Sequence, residues 1–462
     1  MDRRKLLQWS GAASALGATA VMPEHSAAAP GSAPASASAS ASALGLDAAQ
    51  MGVRAGSADD QSAALQRAID RAAAARVPLV LPPGVYRAGT LKLPAGAQLI
   101  GMRGATRLAY GGGPSLIRAE HADNISLTGL TLDGMGRALP PHEGLLHFEA
   151  CRGVRIVDCA ILGAGGNGIA LATVAGEVTG TTIADAADIA LFSYDALGLT
   201  ISRNTIANAG NNGIQMIRSA PGHDGTLVLD NRIDNTHNRA GGTGEYGNAI
   251  NAHRAGDVIV RGNLIRQCAF SAIRGNSASN IQITGNTVHD AGETALYSEF
   301  AFEGAVIAQN IVDGAETGIS VTNFNEGGRL AVVQGNILRN LKPKDANPPP
   351  DGLWGIGINV EADTTVSANV VENARDAGIA VGWGSFLRDV AVTGNVVRLA
   401  SIGIAVSVVP GARSVLISAN VVTGFRRGAV VGMDHARPIT GELAKDGAQP
   451  HAHLSITGNR IG

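Results

Sequence analysis

The stretch VIVRGNLI, residues 258–265, places two poor strand formers inside an apolar run. Val258, Val260 and Ile265 have the spacing of strand residues that face a core, whereas Gly and Asn usually mark turns. The same pattern of apolar run, turn ending in asparagine and second apolar run returns along the chain. Most neighbouring copies lie about 23–27 residues apart. Their asparagines are Asn204, Asn231, Asn263, Asn286, Asn310, Asn336, Asn369, Asn395, Asn420 and Asn459.

A second apolar motif recurs inside each period, as in NGIQMI (212–217), SAIRGN (271–276) and AGIAVG (377–382). Internal repeats of about 20–50 residues indicate a solenoid, a propeller or an array. Each unit contains short alternating runs separated by turn residues, and it is too short for a four-stranded propeller blade. The sequence therefore predicts an all-β fold, a parallel β-helix with one coil per repeat.

The recurring asparagine is predicted to occupy the same corner of successive coils. Its side-chain amide can then bond to the amides above and below, which gives the column a structural role. A glycine just before it tolerates the bent backbone of a corner. In the earlier coils we expect Leu130, Cys159 and Thr181 at this corner.

Composition excludes some classes of function. The 462 residues carry a formal charge of −2, so no basic surface points to nucleic acid. Cys151, Cys159 and Cys268 match no metal-ligand spacing, and we expect them to be buried as small hydrophobic residues. The histidines of MDHARP (433–438), with His451 and His453, lack a fixed spacing and are expected in surface loops. The sequence therefore names no cofactor and no metal site.

Residues 1–29 are predicted to be a removable export signal. The run RRKLL (3–7) precedes a modest apolar stretch and resembles twin-arginine signals, which implies passage through that export machinery to the periplasm or the medium. We expect no membrane span once this segment is removed. Residues 30–44, rich in Ala, Ser and Pro, are predicted to be a linker.

The two ends of the solenoid differ from its middle, because the first and last coils have strand edges with no neighbouring coil to pair with. Residues 57–76 predict a helix, capped by Asp59 or Ser57, that covers the N-terminal end. We assign 45–118 to this cap and the first coils, and 119–462 to the repeats. The closing strand HLSITGNRIG (453–462) predicts an uncovered edge that favours self-association.

The run from Asp59 and Asp60 through the helix to LPPGVYRAGTLKLPAGAQLIG resembles the N-terminal cap of the pectin-lyase-like right-handed β-helix superfamily. The repeats resemble the same superfamily, which includes alginate epimerases. The predicted signal with its two adjacent arginines, taken together with the repeats, also resembles a family of twin-arginine-translocated β-helix repeat proteins. The resemblance covers about residues 45–462 and implies a right-handed, single-stranded parallel β-helix. The catalytic motifs of polygalacturonases and alginate epimerases, and the calcium-binding nonapeptides, are absent from the sequence.

A candidate site emerges when the copies of the second apolar motif are aligned on the residue that faces the core. These inward residues are Ile214, Ile250, Ile273, Leu296, Ile319, Ile356, Ile379 and Ile404. Because side chains alternate along a strand, the residues one and three positions later point outward. The first outward column reads Gln215, Asn251, Arg274, Tyr297, Ser320 and Gly357, and the second reads Ile217, His253, Asn276, Glu299, Thr322 and Asn359. Polar residues therefore concentrate on adjacent middle coils.

The predicted catalytic residues are His253, Arg274, Tyr297 and Glu299. Arg274 would neutralise a uronate carboxylate, while His253 and Tyr297 would act as base and acid, in either order. Hydrolysis would instead pair Glu299 with a second carboxylate, with Glu245 and Asp224 as the candidates. The predicted substrate-binding residues are Asn251, Asn276, Thr322, Asn359, Trp354 and Trp383. The tryptophans could stack on sugar rings.

Two classes of function remain open. The first is an exported carbohydrate-active enzyme of lyase, epimerase or hydrolase type, with its site on the middle coils. The second is a non-catalytic glycan-binding or structural solenoid of the cell envelope, which the missing catalytic motifs and the 3% aromatic content favour. In both classes the expected partner is a polysaccharide, uronate-containing chains included. The insertions 236–247 and 341–354 are expected to wall a groove.

Overall fold

A computed structural model describes residues 45–242, 244–349 and 351–462. The predicted signal and linker, residues 1–44, lie outside these ranges. The described chain is almost entirely β-strand, and it winds in coils so that each strand pairs in parallel with a strand of the next coil. This arrangement confirms the predicted all-β parallel β-helix.

Three sheets run along the solenoid, and each coil passes through sheet 1, sheet 2 and sheet 3 in that order. Sheet 1 consists of Leu46–Asp47, Leu79–Val80, Gln98–Ile100, Ser126–Thr128, Arg152–Val157, Ala175–Thr179, Leu199–Ser202, Leu227–Leu229, Ile259–Arg261, Ile281–Thr284, Glu303–Ala308, Arg329–Gln334, Thr364–Ser367, Val390–Thr393, Val415–Ser418 and Leu454–Thr457. Sheet 2 consists of Gly84–Ala88, Thr106–Tyr110, Thr131–Asp133, Ala160–Leu162, Thr182–Ala184, Thr205–Ala209, Arg232–Thr236, Leu264–Cys268, Thr287–Ala291, Ile311–Ala315, Ile337–Leu341, the first parts of Val370–Val381 and Val396–Ser407, Val421–Thr423 and Arg460–Ile461.

Sheet 3 carries the candidate site. It consists of Leu91–Lys92, Ile117–Glu120, Gly144–Glu149, Asn167–Ala172, Leu191–Tyr194, Ile214–His223, Ile250–Gly256, Ile273–Asn276, Thr294–Glu299, Thr317–Val321, Ile356–Val360, the second parts of Val370–Val381 and Val396–Ser407, and Gly428–Asp434. The strand Arg437–Glu442 then turns back and pairs antiparallel with Gly428–Asp434. No other pair of strands in the described ranges is antiparallel. This hairpin therefore departs from the solenoid path.

The predicted N-terminal helix begins at Ser62 and ends at Ala74. It starts later than expected, because the backbone N–H of Gln61 donates to Arg87 O (2.7 Å) and ties the preceding residues to the first coil. The Asp60 carboxylate, rather than Asp59 or Ser57, accepts from the Ser62 N–H at 2.6 Å. The buried helix face packs on the first strands of the solenoid.

The remaining helical segments are short. They are two 3-10 turns, Ala48–Met51 and Phe324–Glu326, and one helical turn, Leu443–Asp446. Within the described ranges, no helix combines the length and the apolar content that a bilayer crossing requires.

The ten recurring asparagines form one hydrogen-bonded column at the corner between sheets 1 and 2. At Asn310, for example, Oδ1 accepts from the backbone N–H and from Nδ2 of Asn286 (2.9 and 3.0 Å). The Asn310 Nδ2 donates onward to Asn336 Oδ1 (3.0 Å) and to Ile283 O (2.9 Å). Each coil thus satisfies the buried polar groups of its neighbours, as a corner inside a solenoid requires.

The column continues toward the N-terminus with other residue types. The Thr181 N–H donates to Asn204 Oδ1 (2.9 Å), and the Cys159 N–H donates to Thr181 Oγ1 (3.3 Å). The residue before each asparagine has a left-handed backbone, with φ between 54° and 70°. Gly occupies five of these ten positions, because it adopts positive φ without steric cost.

The core runs along the solenoid axis as stacked Ile, Val and Leu side chains. Cys151, Cys159 and Cys268 lie buried beside this core as free thiols. Burial raises the pKa of the Cys159 thiol to about 11 and that of Cys268 to about 12. These thiols therefore stay protonated at neutral pH and act as small apolar groups.

Candidate functional site

The outward face of sheet 3 carries the two predicted polar columns, with one shift in register. Ile319 pairs with Ile358, and not with Ile356 as the sequence alignment predicts. Ile occurs at both 356 and 358, two residues apart, so alternation alone cannot choose between them. Asn359 consequently lies in the first column, and Glu361, which the sequence analysis missed, lies in the second.

The structure joins most of the predicted catalytic residues into one hydrogen-bonded network. The Arg274 Nε donates to Glu299 Oε1 at 2.5 Å, and the Asn276 Nδ2 donates to the same oxygen at 3.1 Å. His253 Nδ1 lies 3.1 Å from Asn276 Oδ1. Burial lowers the pKa of His253, so its imidazole is neutral at neutral pH.

This network lies beneath the insertion 236–247. The backbone carbonyl of Glu245 accepts from Asn251 Nδ2 at 3.1 Å. Gly244 packs so closely on the guanidinium of Arg274 that a Cβ at this position would overlap Nη1. The Arg274 and Glu299 side chains are only 10% and 3% exposed. The charge of Arg274 is therefore already matched by Glu299, away from solvent.

Tyr297 lies at the border of the network. Its ring centroid is 5.4 Å from Arg274 Cζ, a distance at which a guanidinium attracts an aromatic face. Burial, and next the Glu299 carboxylate, raise the pKa of Tyr297 well above its usual range. The phenol is therefore protonated at neutral pH.

A groove of about 380 Å³ opens on the other side of Tyr297. Its polar floor is formed by Ser320, Thr322, Asn359 and Glu361 from successive coils. Trp354 and Trp383 line the same groove, Trp354 from the insertion 341–354 and Trp383 from the end of a sheet 3 strand. Three of the predicted polar positions and both predicted tryptophans thus meet in one concave surface.

Each tryptophan is held by a specific contact. The Trp354 Nε1 donates to Pro349 O at 2.7 Å, and its backbone N–H donates to Asp376 Oδ2 at 2.8 Å. The Trp383 ring meets the imidazole of His435 edge to face, with centroids 5.3 Å apart. Because both indoles are positioned by the protein, little conformational entropy is lost when a ligand stacks on them.

His435, which the sequence places in a surface loop, lies at the exposed turn of the antiparallel hairpin and lines the groove from there. Its Nδ1 lies 2.8 Å from Asp434 Oδ1. Asp434 also accepts from Arg437 Nη2 at 2.9 Å, and both contacts lower the pKa of the Asp434 carboxyl. The path of the hairpin has no counterpart in the repeats, so the sequence carried no signal for this placement.

Glu361 is the enclosed carboxyl of the groove, only 8% exposed. Its Oε2 accepts from the Phe324 N–H at 2.7 Å, while burial raises the pKa of the carboxyl. Glu316 also lines the groove, and burial raises its pKa as well. No Arg or Lys occurs among the described residues that line this surface. The groove therefore presents acidic and neutral groups to a ligand.

The remaining candidates lie elsewhere. Asp224 is buried and accepts from the Thr226 N–H at 3.2 Å, and Glu245 belongs to the insertion above Asn251. His453 contacts Ser407 O at 3.1 Å, and a further pair outside the groove is formed by His147 of sheet 3 and Glu143, which directly precedes the same strand. Within the described ranges, no group of three or more His, Cys, Asp or Glu side chains is arranged to hold a metal ion.

Comparisons with known proteins identify the fold. Residues 222–397 match the family model described as "Right handed beta helix region". No curated protein matches the chain in sequence. The N-terminal fragment of bacteriophage phi29 gene product 12 is 14% identical with a TM-score of 0.52, over 84% of this chain and 69% of that one. The pre-mature form of the same phage protein is 14% identical with a TM-score of 0.51, over 89% and 58% of the two chains.

A third solved structure is the catalytic unit of a GH87 α-1,3-glucanase from Streptomyces thermodiastaticus. It is 14% identical with a TM-score of 0.45, over 93% of this chain and 70% of that one. The likeness to the phage protein extends to the fold alone, because an identity of 14% establishes nothing about chemistry. The chain is a right-handed parallel β-helix protein, a fold that supports many different activities.

Proposed function

We propose that this chain is an exported, carbohydrate-active β-helix protein that holds a neutral polysaccharide in the sheet 3 groove. The observation that carries the proposal is the placement of Trp354 and Trp383 along one polar floor. Sugar rings present apolar faces to indoles and hydroxyl groups to side chains such as Asn359 and Thr322. Export is supported by the paired Arg3 and Arg4 near the N-terminus.

The charges of the groove favour a neutral polysaccharide over a uronate. A uronate carboxylate needs a cationic or strong hydrogen-bond donor to offset its desolvation. Arg274, the predicted donor, is paired with Glu299 beneath the insertion, and the described lining residues include Glu316 and Glu361 but no Arg or Lys. A bound carboxylate would therefore find no cationic partner among the described lining residues.

The network of His253, Arg274, Asn276 and Glu299 is proposed to support the groove. The Arg274 guanidinium contacts the ring of Tyr297, and Tyr297 lines the groove. The network would thus hold the Tyr297 phenol as a donor to a sugar hydroxyl. This assignment makes Arg274 a positioning residue.

Intrinsic fluorescence provides a direct test, since the chain has three tryptophans and two of them line the groove. The third, Trp9, lies in the predicted signal. Titration of the full chain carrying Trp9→Phe with neutral polysaccharides is expected to change its emission. Trp354→Ala and Trp383→Ala should each weaken binding about tenfold, which corresponds to about 1.4 kcal/mol.

The control is Phe425→Ala, which removes an aromatic ring outside the groove lining and should leave the affinity unchanged. Uronate polymers serve as the charged comparison and are expected to bind more weakly than neutral chains. Affinity that is unaffected by both tryptophan substitutions would refute the groove as the binding site.

A further inference from the structure

We propose that Glu361 and His435 are a proton-transfer pair that hydrolyses a glycosidic bond of the polysaccharide in the groove. This inference rests on the proposed function, because it requires a sugar chain on the floor beside Trp383. Neither residue belongs to the catalytic set that the sequence predicts. The proposed catalytic residues thus lie in the open groove of sheet 3 and not in the buried network around Arg274 and Glu299.

The two residues reach one part of the groove from different elements. The register of sheet 3 places Glu361 beside Gly382 of the next coil, and Trp383 follows Gly382 directly. His435 comes from the hairpin and packs against the same indole. Glu361, Trp383 and His435 all line the groove. A sugar that contacts Trp383 would therefore occupy the groove that both groups line.

Glu361 has the surroundings of a general acid. The hydrogen bond from the Phe324 N–H to Oε2 orients the carboxyl. Enclosure at 8% exposure favours the uncharged form, which is the form that donates. Burial raises the pKa of the group accordingly.

His435 has the orientation of a general base. Because Asp434 accepts at Nδ1, the proton of the neutral imidazole lies on Nδ1 and the lone pair lies on Nε2. The side chain is 54% exposed, so water can reach the ring. A carboxylate behind the imidazole also stabilises the imidazolium that forms when Nε2 takes a proton.

His435 lies at the turn of the hairpin and packs against Gly384. Like many turn residues of this chain, it has a left-handed backbone, with φ of +54°. The ring lies over Gly384, where a Cβ would come within 2.5 Å of Nε2. A side chain at position 384 would therefore displace the imidazole, which makes Gly384 a positioning residue for His435.

The proposed step balances with water as the co-reactant. The water oxygen attacks the anomeric carbon and transfers a proton to His435 Nε2, while the bond between that carbon and the glycosidic oxygen breaks. The Glu361 carboxyl gives its proton to the departing oxygen. The imidazolium then releases its proton to solvent, and the Glu361 carboxylate takes one up, which restores both groups. Such acid and base assistance contributes about 10²–10⁴-fold each.

The test measures binding and turnover separately on the full chain. Neutral polysaccharides that change the tryptophan emission are incubated with the protein, and new reducing ends are quantified. Glu361→Gln is expected to lower the rate at least about 100-fold, while the affinity stays within about threefold. His435→Asn is expected to lower the rate as far, with a loss of affinity of no more than about tenfold, because it also removes the contact with Trp383. Gly384→Ala should change the rate and the affinity in the same direction as His435→Asn. Circular dichroism confirms that every variant is folded.

Matched controls use the same substitutions outside the groove. Glu372→Gln on sheet 2 and His121→Asn at an exposed turn should keep the full rate. A wild-type rate in Glu361→Gln or in His435→Asn would overturn the pair. Binding by the unmodified protein without any new reducing ends would overturn hydrolysis and leave the proposed function intact. Failure of every polysaccharide to bind would overturn both.

Discussion

At the scale of single residues, the outward face of sheet 3 divides into a closed part and an open part. Arg274 and Glu299 meet beneath an insertion, where water cannot screen or solvate their charges. Glu361 and His435 line a groove that a ligand can enter. The same strand positions thus serve two purposes, depending on which loop lies above each coil.

The buried ion pair provides a prediction about stability. Arg274→Met leaves the Glu299 carboxylate buried without its countercharge and should cost about 3–5 kcal/mol in the free energy of unfolding. Adding Glu299→Gln removes the stranded charge and retains an acceptor for Asn276, so the double variant should recover most of that loss. Urea unfolding followed by circular dichroism measures both. Additive losses in the double variant would show that the two side chains are not energetically coupled.

At the scale of elements, the corner between sheets 1 and 2 has the same backbone turn and the same hydrogen bonds in successive coils. A left-handed residue turns the chain, and the asparagine after it bonds to the coils on both sides. The side-chain column and the backbone ladders of the sheets therefore reinforce the same stacking register. The middle of the column has partners on both sides, whereas its last member has a partner on one side only.

Two asparagine substitutions should differ for this reason. Asn310→Ala removes four hydrogen bonds, which leaves the buried backbone N–H of Asn286 without its acceptor and takes one partner each from Asn336 and Ile283. A buried polar group left without a partner costs about 1–3 kcal/mol. Asn459→Ala affects a partly exposed site at the end of the column and should cost about 1 kcal/mol. The urea midpoints of the two variants test the difference. Equal shifts would argue against a cooperative column.

At the scale of the whole molecule, the stacked coils need a cover at their first open end. The helix Ser62–Ala74 supplies it by burying Leu65, Ala68, Ile69 and Ala72. This cover also hides unpaired backbone groups that could otherwise pair with another chain. The opposite part of the molecule carries the hairpin that completes the groove, so the regular solenoid serves mainly as a rigid support for irregular additions.

The cover provides the third stability prediction. Leu65 is 1% exposed, so Leu65→Ala should lower the free energy of unfolding by about 2–5 kcal/mol through lost burial and a residual cavity. Arg67→Ala on the exposed face of the same helix should change it by no more than about 0.5 kcal/mol. Sedimentation velocity should show association of the Leu65 variant where the Arg67 variant stays unchanged. A Leu65 variant as stable as the Arg67 variant would refute the covering role.

The sequence by itself determined the solenoid and part of its candidate site. Because successive coils stack on one another in the same way, the spacing of Asn263 and Asn286 already predicts the corner of each coil. The alternation of side chains along a strand predicts that Arg274 and Tyr297 point outward. Only the tertiary structure decided the groove. The register at Ile358 depends on how the insertion before it folds, and His435 reaches Trp383 through a hairpin that follows no repeat. Contacts made by irregular segments depend on their path in space, which no periodic pattern encodes.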